Sequence, residues 1–514
     1  MPSFTPGVRS PSAVLRWCEI DAPPSGLLAC FDGLRAETCP WWLDSALVDP
    51  RIGRFSVLGA DPALIVRMRG RRIELQARRT GIPGLAPGFH RIDGEPLETL
   101  RALLPHVALE PALAPPELPF IGGLVGHLGY EIGACTEPVS LRARAEAGFP
   151  DASLLWADRL IAVDHLHART FALGWGFGAA EADAAWHAEA SLEVCRRWLL
   201  DAPMRNARSR PAAPIRTLGP APDDLAHRRE LLSRNPPDTA QISLDGSGFS
   251  ARVDELIDEI TAGNVYEVNL TRRISVEFDG DPLRLYAALR RESPAPFAAY
   301  FELPDGSILS SSPERFLRLS ADRHVESRPI KGTRPRGCTA VEDARFAEAL
   351  AHSEKDRAEN LMIVDLVRND LGRVCETGSI RVPELMVVEA YAAVFQLVST
   401  ITGRLRGDRD AVDLIRATFP PGSMTGAPKI AAMRLIDRLE PVRRGVYSGA
   451  IGYFDVRGGM DLSVVIRTIL VEKGRAHFHV GGAIVADSTA AAEHAEALDK
   501  ARAMLAALAS LDET

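Results

Sequence analysis

Positive charge is in short supply in this sequence. Lys and Arg number 60 against 68 Asp and Glu, giving a net charge of -8 over 514 residues. No basic tail or stripe offsets the deficit, which argues against a nucleic acid or an anionic membrane surface as partner. An anionic ligand would then be held by local Arg, Lys, backbone amides or a metal. Cysteine is also sparse: seven residues, at 18, 30, 39, 135, 195, 338 and 375, odd in number and without a CxxC pair. That excludes a disulfide frame and a zinc site, and it suits free thiols in a reducing cytoplasm. No apolar run approaches the ~18 residues of a membrane span, and no basic-then-apolar leader opens the chain, so a cytoplasmic location is expected. Internal repeats are absent as well.

Apolar content of 46% and charged content of 25% are ordinary for a globular chain. The length leaves room for one large domain or roughly two to three ordinary ones. From Cys39, short apolar runs broken by Gly, Asp and Pro predict a sheet-rich region, with Leu64–Met68 and Arg72–Leu75 as strands. Residues 95–107 carry Leu97, Leu100, Leu103 and Leu104 on one helical face. The segment Pro119–Tyr130 is dense in glycine without the spacing of a dinucleotide fingerprint, so it reads as close packing. Two strands are expected over 153–176 and a helix over Ala179–Leu199. Composition then shifts to Pro, Arg, Asp and Ser, which predicts a linker or exposed excursion over 201–248. It divides an N-terminal region, 15–200, from a C-terminal one, 249–508.

The second region is richer in signals. A helix is predicted over Phe249–Gly263, a strand over Val265–Thr271, and a strand pair Phe297–Glu302 and Ser307–Ser311 turning at Pro304-Asp305-Gly306. The strand His324–Ser327 leads into Arg328-Pro329-Ile330-Lys331-Gly332-Thr333-Arg334-Pro335-Arg336-Gly337, where two prolines and two glycines predict a tightly specified loop around one lysine. Lysine is a nucleophile only when its amine is neutral, which burial or neighbouring cations arrange, and Arg328, Arg334 and Arg336 are placed to supply those cations. A lone lysine in a turn is more often simply solvated.

Ala344–Leu371 predicts one long helix with Asp356 and Glu359 at i,i+3 on one face. Near the end, Asp487-Ser488 can cap another helix on which Glu493 and Glu496 repeat that spacing. Two acidic pairs on two helices supply the oxygen ligands Mg²⁺ prefers, while solvated carboxylates beside Lys355 and Lys500 are the plainer reading. Between them, Gly422–Lys429 (GSMTGAPK) looks like an anion-cradling loop without the GK[ST] ending of a P-loop. The amides of Gly481, Gly482 and Ala483 precede the last helix and can face a carboxylate.

Five ordered motifs, PIKGTRPRG (329–337), ENLMIVDLVRNDLGR (359–373), GSMTGAPK (422–429), YSGAIGYF (447–454) and GGAIVADS (481–488), resemble the chorismate-utilising enzymes. LDSA (43–46), GRFSVLGADP (53–62) and PFIGG (119–123) are similar, more weakly, to that family's N-terminal part. The resemblance implies an α+β fold of two large antiparallel β-sheets packed as a sandwich with flanking helices, the active site lying in the cleft.

Within the family, PIKGT with its lysine resembles the aminodeoxychorismate synthases, where anthranilate synthases typically carry alanine at this position. Isochorismate and salicylate synthases place a water-activating lysine where this chain has Glu267. Gln396 stands where anthranilate and salicylate synthases have histidine. Glu267 itself departs from the glutamine usual in the amine-using members, and Ala483 from a usual glycine.

By resemblance, Mg²⁺ would be held by Glu359 and Glu496, with Glu493 and Asp356 behind or beside them. Tyr447, Arg467, Lys500 and the amides of Gly481, Gly482 and Ala483 would hold chorismate, with Ser423 and Gln396 in the same substrate-binding set. Glu314 would be the general acid and Lys331 the nucleophile that makes a covalent adduct before ammonia adds. No cysteine sits in a glutaminase context, so ammonia is expected free or from a separate glutamine amidotransferase subunit. A downstream lyase would take the product towards 4-aminobenzoate and folate. Asp44 and Ser45 resemble part of the family's tryptophan pocket. Anthranilate synthase component I is the alternative within the family. An inactive paralogue that binds an amidotransferase is the alternative from another class.

Overall fold

In the computed structural model, the described residues are 12–512 apart from 21–25, 80–84, 105–113, 116, 142–147, 201–234, 338 and 392–393. They form two 12-stranded antiparallel sheets with helices outside. One sheet runs from the edge strand Ser12–Ile20 through Arg169–Gly178, Arg159–Asp164, Phe55–Gly59 and Trp41–Asp44 to Phe297–Leu303. It continues through Gly306–Ser312, Thr468–Glu472, Arg475–Ile484 and Glu267–Glu277. The other begins Ile330–Pro335, Val394–Arg404, His324–Arg328, Arg315–Leu319, Met460–Val464, Ala450–Asp455. It then crosses to Gly123–Leu128, Ala152–Ala157 and Leu64–Arg69. Both stretches, 15–200 and 249–508, therefore supply strands to both sheets. The joins are Trp42 opposite Tyr300 in one and Gly126 opposite Gly452 in the other.

That second join explains the glycine-dense segment. A Cβ on Gly126 would lie 2.0 Å from the Ser153 carbonyl oxygen, and one on Gly452 would lie 1.9 Å from that of Asp461. Side chains are excluded so that backbones can meet.

The main apolar core lies between the sheets and draws Trp41 and Val57 from one and Leu124, Val125 and Leu462 from the other. A second core packs the outer face of the first sheet against the helices Glu181–Leu200, Pro282–Glu292 and Ala490–Asp512. Burying such side chains at ~25 cal/mol per Å² of apolar surface is what fixes the two layers against each other.

Several sequence expectations change. The region 153–176 carries three strands, not two. The expected helix over 344–371 is two, Ala340–Ala351 and Glu354–Gly372, because Ser353 turns extended and caps the second by accepting the Asp356 amide at 3.3 Å. The last helix starts at Ala490, and the Thr489 hydroxyl rather than Asp487-Ser488 takes one of its first amides, that of Ala492. Of the expected linker, 201–234 falls outside the described residues. Residues 235–248 hold the short strand Gln241–Ile242 and the start of the helix Gly246–Thr261, capped by Asp245.

Candidate active site

The lysine stretch is a strand, not a loop. Ile330–Pro335 pairs with Val394–Arg404, but the register shifts between Ile330 and Thr333, so Lys331 and Gly332 form a bulge. Gly332 has φ +86°, and a Cβ there would lie 2.9 Å from Cβ of Asp356. The turn-forming residues thus serve a bulge, which re-aims one side chain out of a ladder. Lys331 is re-aimed into the protein: it is 9% exposed and its Nζ donates to Glu267 Oε1 at 2.6 Å. Glu267 opens the strand Glu267–Glu277, is fully buried, and has no partner for Oε2.

The three arginines do not activate this lysine. Arg328 pairs with Glu389 at 2.5 Å, Arg334 with Asp356 at 2.6 Å and Arg336 with Asp343 at 2.6 Å. Burial pulls the Lys331 ammonium down, but the carboxylates of Glu267, Glu359 and Glu314 more than reverse that, so its pKa is raised. The expected cationic environment is an anionic one.

Glu314 follows the strand Gly306–Ser312, is 4% exposed, and accepts a hydrogen bond from Ser423 Oγ at 2.7 Å. Burial pushes its carboxyl up to about 7, against the Ser423 hydrogen bond and the Lys331 charge. Such a group holds a proton near neutrality and can give it away.

The GSMTGAPK stretch holds this serine in place, and its lysine is already paired within the protein. Gly422–Thr425 is one helical turn, and Lys429 begins the next helix with its Nζ on Asp370 at 2.7 Å and on the Thr418 carbonyl at 2.6 Å. The turn is tied to the Glu267 strand by Arg444, which donates to the carbonyls of Met424 and Asn269, each at 2.6 Å, and pairs with Glu440 at 2.6 Å. Glu440 in turn accepts from the amide and hydroxyl of Thr271. Sequence reasoning missed Arg444, Glu440 and Asp370. Asp370 at least lies inside the motif ENLMIVDLVRNDLGR, whereas Arg444 and Glu440 stand among other charged residues and carry no local signal.

Three of the four predicted acidic ligands gather. Lys355 Nζ lies 3.8 Å from Glu359 and 3.3 Å from Glu493. A Cβ on Gly482 would lie 3.0 Å from Glu493 Oε2 and 3.4 Å from Glu496 Oε1, so the missing side chain leaves room beside both carboxylates. Glu493 Oε1 accepts from Ser488 at 2.6 Å, while its Oε2 is buried without a partner. Burial pushes Glu359 up to about 7, whereas Lys500, 2.6 Å away, holds Glu496 below its ordinary value. Asp356 stands apart, facing Arg334 and Gly332. Among the described residues, no group of three or more His, Cys, Asp or Glu is placed to hold a metal ion; the Lys355 ammonium stands among these carboxylates instead.

Around this cluster stand the cationic and polar candidates. Arg467 has φ +51° and makes no side-chain hydrogen bond or ion pair with a described residue; burial lowers its pKa, with Tyr447 and Glu496 opposing. The Tyr447 ring stacks on His479 with centroids 4.9 Å apart. Lys500 donates to the Gly481 carbonyl at 3.0 Å. Gly481, Gly482 and Ala483 pair with the Glu267 strand on one side, while the pairing with Thr468–Glu472 on the other side stops at His477 and leaves that edge open. Gln396 lies opposite Thr333 in the lysine strand, with a buried Oε1 that has no partner.

Asp44 and Ser45 lie elsewhere, lining a cavity of about 440 Å³ that Lys331, Glu314 and Glu359 do not touch. Asp44 is engaged by Arg290 at 2.5 Å and Tyr286 at 3.1 Å, and Ser45 donates to the Phe55 carbonyl at 2.6 Å.

A buried amine on a carboxylate, a carboxyl near it that can hold a proton at neutrality, a carboxylate cluster with a cation between its members, and Arg467, whose guanidinium pairs with no described residue, form one set. It suits a small anionic substrate that loses a protonated leaving group to an amine.

A family model described as chorismate binding enzyme matches residues 74–506. The "Aminodeoxychorismate synthase" of Streptomyces pristinaespiralis is 44% identical over 93% of this chain and 63% of its own length. The chain thus spans under two thirds of that relative. "Aminodeoxychorismate synthase component 1" of Klebsiella aerogenes is 38% identical over 93% of this chain and 96% of its own. Among solved structures, anthranilate synthase component I from Streptococcus pneumoniae superposes with TM-score 0.71 at 29% identity, covering 89% of this chain and 94% of that one.

Proposed function

We propose that this chain, which belongs to the chorismate binding enzyme family, makes 4-amino-4-deoxychorismate from chorismate and ammonia, as an aminodeoxychorismate synthase component I. The observation that carries this reading is the bulged, buried Lys331, held by Glu267 and accompanied by the protonatable Glu314. Likeness to relatives named aminodeoxychorismate synthase supports it.

Arg467, Tyr447 and Lys500 hold the enolpyruvyl carboxylate, and the open strand edge at Gly481–Ala483 lies beside them. Glu314 protonates the C4 hydroxyl, so that water leaves instead of hydroxide. As the C4–O bond breaks, the ring double bonds shift and the Lys331 amine bonds to C2. Ammonia then bonds to C4, the double bonds shift back and the lysine departs. The new C4 ammonium restores the proton that Glu314 gave up. The enolpyruvyl group stays on the ring, and a separate lyase would be needed to reach 4-aminobenzoate.

Mg²⁺ belongs to this reading. Glu359 and Glu496, two carboxylates of the kind Mg²⁺ takes together with water and an anionic ligand, would hold the cation with Glu493 behind them: one buried Glu493 oxygen is unpartnered, Gly482 leaves space, and the Lys355 ammonium stands where a cation would. When bound, the ion supplies a positive charge for the ring carboxylate. Asp356, committed to Arg334, does not join this set.

Ammonia is proposed to come from a separate glutamine amidotransferase subunit, in keeping with relatives named component 1. A cytoplasmic location is part of the same reading. No helix among the described residues is long and apolar enough to cross a membrane. A tryptophan in the Asp44 cavity would have to share that carboxylate with Arg290; a thermal shift on adding tryptophan tests it.

The likeness to anthranilate synthase component I favours a second reading, in which anthranilate and pyruvate are the products. Mass spectrometry of chorismate incubated with the chain, Mg²⁺ and ammonium separates the two. A product that keeps the enolpyruvyl group supports the proposal, and anthranilate refutes it.

A further inference from the structure

We propose that Glu267 is a catalytic carboxyl that takes the proton of the Lys331 ammonium as the amine attacks and returns it when the lysine leaves. This rests on the reading of Lys331 as nucleophile given above.

Comparison with the chain's other buried ion pairs carries the inference. Lys429 on Asp370 also has the Thr418 carbonyl, and Asp370 has Arg373 at 3.3 Å. Arg444 on Glu440 is completed by Met424, Asn269, Ser448 and Thr271. Every charged group in these two pairs has at least two partners, as a buried charge needs if its only task is to hold the fold. The Lys331–Glu267 pair has one contact: Glu267 Oε2 is buried without a partner, and the ammonium's one hydrogen-bond acceptor among the described residues is Glu267 Oε1. Leaving such a group unmade costs stability, so its persistence points to a task.

The backbone fixes this pair. Glu267 lies opposite Ala427 in the sheet, and a Cβ on the adjoining Gly426 would lie 2.1 Å from the Glu267 carbonyl oxygen, which leaves no room to shift. The bulge fixes Lys331 from the other sheet. A 2.6 Å contact between two fixed elements is a ready path for one proton.

The charges that face the lysine make the carboxyl necessary. Glu314 adjoins it, in the protonated form its acid role needs, while Glu359 of the helix Glu354–Gly372 and Glu496 of the last helix are given to Mg²⁺ above. Glu267 is the carboxylate in contact with the ammonium, at 2.6 Å, and holds it in the charged form, which cannot attack. Transfer to Glu267 turns the resting ammonium–carboxylate pair into an amine–acid pair without exchange with solvent. The amine then bonds to C2 and becomes a secondary ammonium. When ammonia bonds to C4, the N–C2 bond breaks, the lysine departs as a neutral amine and Glu267 returns its proton. Chorismate plus ammonia gives the amino product plus water, and the pair ends as it began.

The test is the pH dependence of kcat/KM for Glu267→Gln and Glu267→Asp against the unaltered chain at equal free ammonia, each variant first checked for an unchanged melting transition. With an amide, free amine forms only by loss of a proton to solvent. The ratio of Glu267→Gln to the unaltered chain should therefore rise about tenfold per pH unit through neutrality until the lysine titrates. The Glu314 limb is common to both and cancels. Glu267→Asp should restore a nearly constant ratio. A constant ratio for Glu267→Gln, or no rescue by Glu267→Asp, overturns the proposal. Lys331→Ala, run in parallel, separates the two levels. If it keeps the full rate, the nucleophile reading falls and Glu267 with it; if it is inactive while the Glu267→Gln ratio is flat, only the role of Glu267 falls.

Discussion

Removing one hydroxyl should move the pH profile of this enzyme upward. Ser423 Oγ donates to Glu314 Oε1 at 2.7 Å in a buried site, and it favours the ionised carboxylate. A hydrogen bond to a charged group contributes ~1.5–3 kcal/mol, and 1.36 kcal/mol corresponds to one pKa unit. The serine can also accept from the protonated acid, so the net difference lies at the low end, roughly one unit. Ser423→Ala should therefore take Glu314 from about 7 to roughly 8. Glu314 acts in its protonated form, so activity is present below its pKa and lost above it. The alkaline limb should shift up by that unit, and the ratio of variant to unaltered chain should climb towards roughly tenfold beyond it, whatever the variant's plateau rate. The assay is initial-rate formation of aminodeoxychorismate over pH at constant free ammonia. A limb that stays where it was, or moves down, would refute both the acid role and the electrostatic reasoning.

Other consequences follow from the same geometry. Lys429→Met leaves Asp370 buried without its ammonium and should lower stability by about 3–5 kcal/mol, read as a drop in the urea midpoint at unchanged slope. Gly482→Ala puts a methyl 3.0 Å from Glu493 Oε2 and should weaken Mg²⁺ binding at least tenfold by calorimetry, with the melting transition of the metal-free chain unmoved. Because the folded pKa of Glu314 is raised from 4.5 to about 7, the folded state binds the extra proton between those values. Stability should therefore fall as pH rises through that window, and Glu314→Gln should remove that contribution to the slope.

Much of the fold was legible because strands of period two and short Gly/Pro punctuation are local signals. The misreadings came where tertiary pairing overrules local chemistry. Gly332 and Pro335 are turn residues by any local rule, yet pairing with Val394–Arg404 draws them into a bulged strand. A single helix over 344–371 runs across the polar stretch His352–Arg357, where Ser353 caps a second helix instead.

At the site, the motifs carry Lys331 and Glu359, the i,i+3 spacing on the last helix points to Glu493 and Glu496, and the family resemblance points to Glu314. They did not reveal which charges meet, because Arg328 finds Glu389 and Lys331 finds Glu267 across 61 and 64 positions of chain. Three nearby arginines suggested a lysine acidified by cations, and long-range pairing reversed the sign. Interleaving of the two halves in both sheets was likewise invisible to a reading that moved along the chain.

The central claim is that Lys331 carries the amination of chorismate. Its most direct test is the product spectrum of the unaltered chain and of Lys331→Ala with chorismate, Mg²⁺ and ammonium. The account predicts 4-amino-4-deoxychorismate from the first, released as 4-aminobenzoate and pyruvate only when a lyase is added, and at least a hundredfold less from the second. Anthranilate and pyruvate from the unaltered chain, or equal aminodeoxychorismate from both, would contradict it.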